Sequence, residues 1–158
     1  MKYVCALIVV EDINRSRALY EQVLKQKVKS DYGENIIFEA GFAIHQMNHY
    51  CLLIGNKTIV QGSNNFELYF EEDDLDSIQK AIICNKLEII HKVQEQPWRQ
   101  KAFRFYDYDK NIIEIGERLE HLVYRLYLEK EPTDDISKIT GMSIGKVRRI
   151  IKECGSLS

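Results

Sequence analysis

Val4-Cys5-Ala6-Leu7-Ile8-Val9-Val10-Glu11-Asp12-Ile13 stands near the start of the chain, and Phe66-Glu67-Leu68-Tyr69-Phe70-Glu71-Glu72-Asp73-Asp74-Leu75 repeats its pattern. Each is a strand-forming run closed by an aspartate and an aliphatic residue, and each leads into helical spacing. Asp74-Leu75 takes the place of Asp12-Ile13, and Glu67 stands as far before Asp74 as Cys5 stands before Asp12. Such a duplication builds a pseudo-symmetric structure, in which equivalent positions of the two halves converge on one centre. Cys5 and Glu67 are therefore the first residues to weigh.

Working outward, Asp12 reads as the cap of a helix carrying Ile13, Leu19, Tyr20, Val23 and Leu24 near one face. Strands are expected at 27–32, 35–39 and 42–47, with turns at Gly33 and Gly41. Residues 48–63 read as a connector. The second unit has a strand at 65–71, a helix from about Asp74 to Cys84, and strands at 87–93, 101–107 and 112–116. Each half is βαβββ. Alternation puts Phe66, Leu68 and Phe70 on one face of the fifth strand and Glu67, Tyr69 and Glu71 on the other. By the same parity Phe42 and Ile44 face the core while Ala43 and His45 face a concavity, and Ile113 and Ile115 oppose Glu114.

The bulk properties exclude several classes. The 158 residues suit one domain with an appendage, and 45% hydrophobic with 29% charged residues is ordinary for a globular protein. A net charge of -2 gives no global reason to expect nucleic acid or an acidic membrane as partner. The apolar run Ala6–Val10 is too short to span a bilayer and, running straight into Glu11-Asp12, does not read as a signal peptide. Cys5, Cys51, Cys84 and Cys154 are widely spaced and read as reduced thiols of a cytoplasmic protein.

After Glu117 the pattern becomes helical, so the expected organisation is a domain over 1–117 and a helical extension over 118–158. Leu119, Leu122, Val123 and Leu126 form one apolar stripe, Thr133 reads as a cap, and Gly141-Met142-Ser143 as a turn before a last helix. Three short helices are expected to dock on the main domain or on a second copy in a homodimer. Residues 135–152 resemble a helix-turn-helix core, with Lys146, Arg148, Arg149 and Lys152 in the second helix. The extension as a whole has eight Lys and Arg against six Asp and Glu, so nucleic acid is not the expected partner.

The repeat, together with Trp98-Arg99-Gln100 and the ending Arg104-Phe105-Tyr106-Asp107-Tyr108-Asp109-Lys110-Asn111-Ile112-Ile113-Glu114-Ile115-Gly116-Glu117, resembles the glyoxalase / bleomycin-resistance / dioxygenase superfamily. The resemblance implies the vicinal oxygen chelate fold: α+β, two βαβββ modules forming an open mixed-sheet barrel. The superfamily's usual turn is D-P-D-G-N; here Tyr108 and Lys110 replace the proline and glycine. In its metal-dependent members, ligands come from the first, fourth, fifth and eighth strands. Carried over, these positions are Cys5, His45, Glu67 and Glu114.

The resemblance implies a glyoxalase-like lyase or isomerase acting on a small substrate with adjacent oxygens. His45, Glu67 and Glu114 would hold Zn²⁺, Ni²⁺, Fe²⁺ or Mn²⁺, with Cys5 as a fourth ligand and Glu67 or Glu114 as the base. Taken singly, the same residues have plainer readings: Cys5 as a small buried apolar residue, Glu67 and Glu114 as strand glutamates or partners of Arg104, His45 as a polar residue on a wet sheet face. Tyr69, Trp98, Arg104 and Tyr106 are the expected pocket lining for an aromatic or anionic ligand, Trp98 alternatively a plug after Pro97. Two other functions fit the sequence: a metal-free drug-binding protein of the bleomycin-resistance kind, and a ligand-sensing regulator that uses the extension on DNA.

Overall fold

A computed structural model describes residues 1–62 and 64–156. The duplication is realised as two four-stranded sheets of the same strand order. The first half comprises β1 (Ala6–Val10), α1 (Ile13–Ala18), β2 (Val28–Asp31), β3 (Asn35–Phe38), β4 (Phe42–Gln46) and α2 (Met47–Leu53). The second comprises β5 (Glu67–Glu71), α3 (Leu75–Cys84), β6 (Ile89–Glu95), β7 (Lys101–Tyr106) and β8 (Ile112–Gly116). The sheets run β1-β4-β3-β2 and β5-β8-β7-β6, so in each half the first strand neighbours the fourth. Helices α4 (Leu119–Leu128), α5 (Thr133–Thr140) and α6 (Ile144–Gly155) complete the chain. Among the described residues no helix is long and apolar enough to cross a membrane.

The chain divides into two compact units, Met1–Leu68 with Lys80–Ile90 and Phe105–Ile113, and Tyr69–Gln79 with His91–Arg104 and Glu114–Ser158. In the first unit the expected cap is present: the Asp12 carboxylate accepts from the Asn14 and Arg15 amides at 3.0 Å. The helix then widens into a π turn over Leu19–Val23, which buries Leu19 and Tyr20. Tyr20, Phe38 and Phe42 pack as an aromatic cluster with ring centroids 4.5 to 5.7 Å apart. The variant turn is built on Asp107, whose carboxylate accepts from the Asp109 and Asn111 amides and from the Tyr20 hydroxyl at 2.8 to 3.0 Å. Lys110 adopts φ +65° where the family's glycine stands. That conformation costs a side-chain-bearing residue steric strain.

Three expectations change. Residues 47–53, read as part of a connector, form α2, which begins without a side-chain cap and buries none of its residues fully, so no capping or amphipathic signal announced it. Thr133 is not a cap; Pro132 occupies that position and Thr133 is the first helical residue. Phe66 is exposed, so only Leu68 and Phe70 of the fifth strand's apolar trio turn inward.

In the second unit α4, α5 and α6 pack on one another. Leu122, Val123 and Leu126 meet Ile136, Met142, Val147 and Ile150 in one core. The apolar stripe expected to dock elsewhere is therefore satisfied within the extension. The link to the strands of the same unit is polar. Glu117, only 1% exposed, accepts from the Arg125 guanidinium at 2.6 Å, from the Lys101 amide at 2.8 Å and from His121 at 3.0 Å. Arg99 pairs with Glu129 and Glu131 at 2.9 and 3.0 Å. Burial pushes the Glu117 carboxyl up, but the hydrogen bonds from Arg125, Lys101 and His121 more than offset it and hold it below the usual range.

Arg125→Met leaves a buried carboxylate without its guanidinium and should destabilise the fold by about 3–5 kcal/mol in urea titrations. Because the folded-state pKa of Glu117 is depressed, the wild-type contribution is complete above about pH 4.5 and is lost as pH falls through the lowered value. In the variant the Arg125 contribution is gone while the Lys101 and His121 hydrogen bonds remain, so desolvation is less fully offset and that pKa rises. Its stability deficit should therefore be largest near neutrality and shrink on acidification.

Candidate functional site

The ladder of the first sheet fixes where the first two expected ligands stand. β1 and β4 are parallel, with Ala6 beside Phe42, Leu7 beside Ala43 and Val9 beside His45. Cys5 precedes the strand by one residue and lies level with the Gly41 turn, where the Ala6 amide donates to the Gly41 carbonyl at 3.2 Å. Four residues of extended chain separate Cys5 from the level of His45, roughly 13 Å. Its neighbours across the ladder, Gly41 and Ala43, carry no donor side chain. Cys5 and His45 therefore do not share an ion, and Cys5 is a partly buried free thiol.

His45 is 5% exposed and committed at both ring nitrogens. Asn35, its partner across β3 and β4, places its side-chain amide nitrogen 2.8 Å from Nδ1, and His49 places Nδ1 2.9 Å from Nε2. An amide NH₂ only donates, so His45 Nδ1 accepts and Nε2–H donates to His49. Burial, and then His49, push the His45 pKa down, with Glu34 acting the other way. His49 was not foreseen as part of the site. The signal was the His45–His49 spacing, which is legible only once residues 47–53 are known to be helical.

In the second unit, Glu114 is 4% exposed and ion-paired with Arg104. Arg104 also places a guanidinium nitrogen 3.3 Å from His91 Nε2. The eighth-strand carboxylate thus faces a cation of the chain itself. Glu67 is exposed on β5. Among the described residues no three His, Cys, Asp or Glu side chains are grouped to hold a metal ion. The donor set expected from the family does not fit a resident divalent ion: one member is displaced along its strand, one has both nitrogens engaged, and one is bound to a guanidinium.

The expected pocket aromatics fare differently. Trp98 is 49% exposed, which removes the plug reading, and Tyr69 is 45% exposed. Buried Gln100, unforeseen, ties them together: Trp98 Nε1–H donates to its Oε1 at 3.0 Å, and its Nε2 donates to the Tyr69 hydroxyl at 2.8 Å and to the Glu117 carbonyl at 2.7 Å. The Tyr69 hydroxyl donates onward to Glu71 at 3.2 Å. Desolvation, then the Glu71 carboxylate, push its pKa up to about 12. A Cβ at Gly116 would meet that hydroxyl at 2.7 Å, so only glycine lets Tyr69 lie against β8. Tyr106, in the first unit, has Lys110 5.2 Å above its ring. The first unit also holds a cleft of about 210 Å³ of mixed character, lined by Leu7, Val9 and residues 59–61 together with Asp109 and Asn111.

The His45 arrangement has a measurable consequence. Its depressed pKa means that the neutral form's contribution to stability is complete above about pH 6.5 and is lost as pH falls through the lowered value. An NMR titration should show His45 with a bare Nδ1, a protonated Nε2 and a midpoint below that of a free histidine. A midpoint at or above the free value would contradict the hydrogen-bond assignment.

Comparison with known proteins agrees with this architecture. Residues 3–120 match the glyoxalase-like domain family. A crystal structure of a protein of unknown function from Agrobacterium tumefaciens is 38% identical, with a TM-score of 0.67 over 75% of this chain and 94% of that one. The fosfomycin resistance protein FosX from Listeria monocytogenes shares the fold at 16% identity, TM-score 0.58, over 77% of this chain and 98% of that one. Lactoylglutathione lyase from Agrobacterium tumefaciens does so at 16% identity, TM-score 0.56, over 73% and 92%. No curated protein matches the chain. The duplicated α+β sheets and the match over residues 3–120 together place the chain in the glyoxalase-like family, with the vicinal oxygen chelate fold.

Proposed function

We propose that this protein binds a small organic molecule bearing a flat aromatic group, without a metal ion, as the bleomycin-resistance branch of the superfamily does. The observation that carries the reading is the Arg104–Glu114 ion pair, which neutralises the carboxylate that a metal-dependent member would offer to its ion. Removing either partner would strand the other in a poorly solvated place. The arginine therefore stabilises the carboxylate as a metal would, and leaves no open coordination position for a substrate.

Tyr69 and Trp98 supply the ligand surface. Both rings are half exposed, and both are oriented by the buried Gln100 amide. An aromatic side chain held in place before binding loses little entropy when a ring stacks on it, which is the advantage of preorganisation. The metal-dependent lyase reading needs His45, Glu67 and Glu114 to gather around one ion, and the present partners of His45 and Glu114 oppose it.

Trp98 is the only tryptophan in the chain, so its fluorescence reports on the site directly. A panel of planar aromatic compounds should contain members that quench it saturably, equally with and without a chelator. Tyr69→Ala should weaken that binding by about threefold to tenfold, the value of one aromatic contact. Gln100→Leu should weaken it as well by releasing both rings. Binding that requires an added divalent ion, or that ignores both substitutions, would defeat the proposal.

A further inference from the structure

Helix α6 carries two stripes at helical spacing. Val147, Ile150, Ile151 and Cys154 face the core that α6 shares with α4 and α5. Gly145, Arg148, Arg149 and Lys152 repeat the same i, i+3, i+4, i+7 interval on the opposite side, and all four are exposed. The helix has four basic residues and one acidic, Glu153, while the other acidic residues of the extension sit on or beside α4 and α5. The small excess of base over the whole extension thus averages over a segregated distribution. Arg148 and Lys152 have no carboxylate partner among the described residues, and Arg149 reaches only Glu153, at 3.8 Å between well-exposed groups.

The approach to this face is built as well. The turn Gly141-Met142-Ser143 joins α5 to α6, with Gly141 at φ +67°, a conformation that favours glycine. Ser137 Oγ donates to the Met142 carbonyl at 2.6 Å, and Ser143 caps α6 by accepting from the Lys146 amide at 3.3 Å. Two helices across a three-residue turn, with a third closing the core, leave α6 projecting one clean face. Nothing lies within 4 Å of a Cβ built at Gly145, so packing does not require that glycine. It leaves bare backbone among the three bases, where a partner can come close.

We propose that α6 is a duplex-DNA contact surface, lying in the major groove with Arg148, Arg149 and Lys152 toward the phosphates and base edges. The helix is about 18 Å long and about 10–12 Å across, which suits a groove about 12 Å wide. A membrane surface would need an apolar face to insert, and that face of α6 is already buried in the three-helix core. Duplex RNA offers a major groove too deep and narrow for a helix. This reverses the expectation drawn from the charge of the whole extension, and it does not depend on the small-molecule proposal.

The test is fluorescence anisotropy of the full-length protein on a labelled duplex of mixed sequence, titrated at salt concentrations between about 50 and 200 mM. Saturable binding is expected, with a log–log salt slope of magnitude about 3 from three phosphate contacts. Combining Arg148→Ala, Arg149→Ala and Lys152→Ala should weaken binding at the lowest salt by more than about tenfold and flatten the slope. Gly145→Glu, which sets a carboxylate among the bases, should do the same. Both proteins should keep the wild-type thermal melt, because none of these side chains is in the core. Lys138→Ala on α5 should bind as the wild type does. The proposal is overturned if there is no saturable binding at the lowest salt, or if the triple variant binds with unchanged affinity and slope. Equal or tighter binding to duplex RNA or to anionic vesicles would also overturn it.

Discussion

A carboxylate taken out of water must be given hydrogen-bond donors or a cation, and in the second unit of the molecule a guanidinium is what Glu114 and Glu117 receive. Glu114 and Glu117 lie three residues apart at the end of β8, both almost fully buried. Glu114 is met by Arg104 from β7, Glu117 by Arg125 from α4. The first pair engages the carboxylate that the family resemblance offers as an eighth-strand metal ligand. The second fastens the three-helix extension to the strands of the same unit. Each pair is costly to break, because the partner left behind is desolvated and charged. Much of the remaining polar detail, from Gln100 on the Glu117 carbonyl to Tyr69 on Gly116, is laid out around the same strand end.

The fold was legible in the sequence because its signals are local and repeated. Asp12 and Asp74 cap their helices, alternation in β5 separates Leu68 from Glu67 and Tyr69, and the turn through Asp107 closes on its own backbone. The site was less legible because it depends on register, which a single sequence does not display. His45 and Cys5 have the parity of one sheet face, but β1 and β4 pair with His45 level with Val9 and not with Cys5. Likewise Arg104 as the partner of Glu114 was one of two readings, and only the cross-strand arrangement decided it. The extension differs from its sequence pattern for another reason: an apolar stripe does not show which element covers it, and α4, α5 and α6 cover one another.

Strand register and the self-contained helical core both bear directly on function. Membership of the glyoxalase-like family fixes an architecture that hosts many reactions, so the reading must rest on the chain's own side chains. Those side chains present an ion-paired carboxylate, a histidine engaged at both nitrogens, and two aromatic rings steered by one amide. The self-contained core of the extension in turn leaves the basic face of α6 unoccupied by the rest of its unit. A small-molecule site and a nucleic-acid surface are thus drawn from separate sets of residues, and each stands on its own observations.

The central claim is that Arg104, and not a metal ion, holds Glu114. Elemental analysis of the protein purified without chelator, and again after incubation with Zn²⁺, Ni²⁺, Fe²⁺ or Mn²⁺ and desalting, tests it most directly. The account predicts well below one equivalent of any of these metals, with no change on Glu114→Gln. One equivalent of a divalent metal, retained through desalting and lost on Glu114→Gln or His45→Ala, would contradict it.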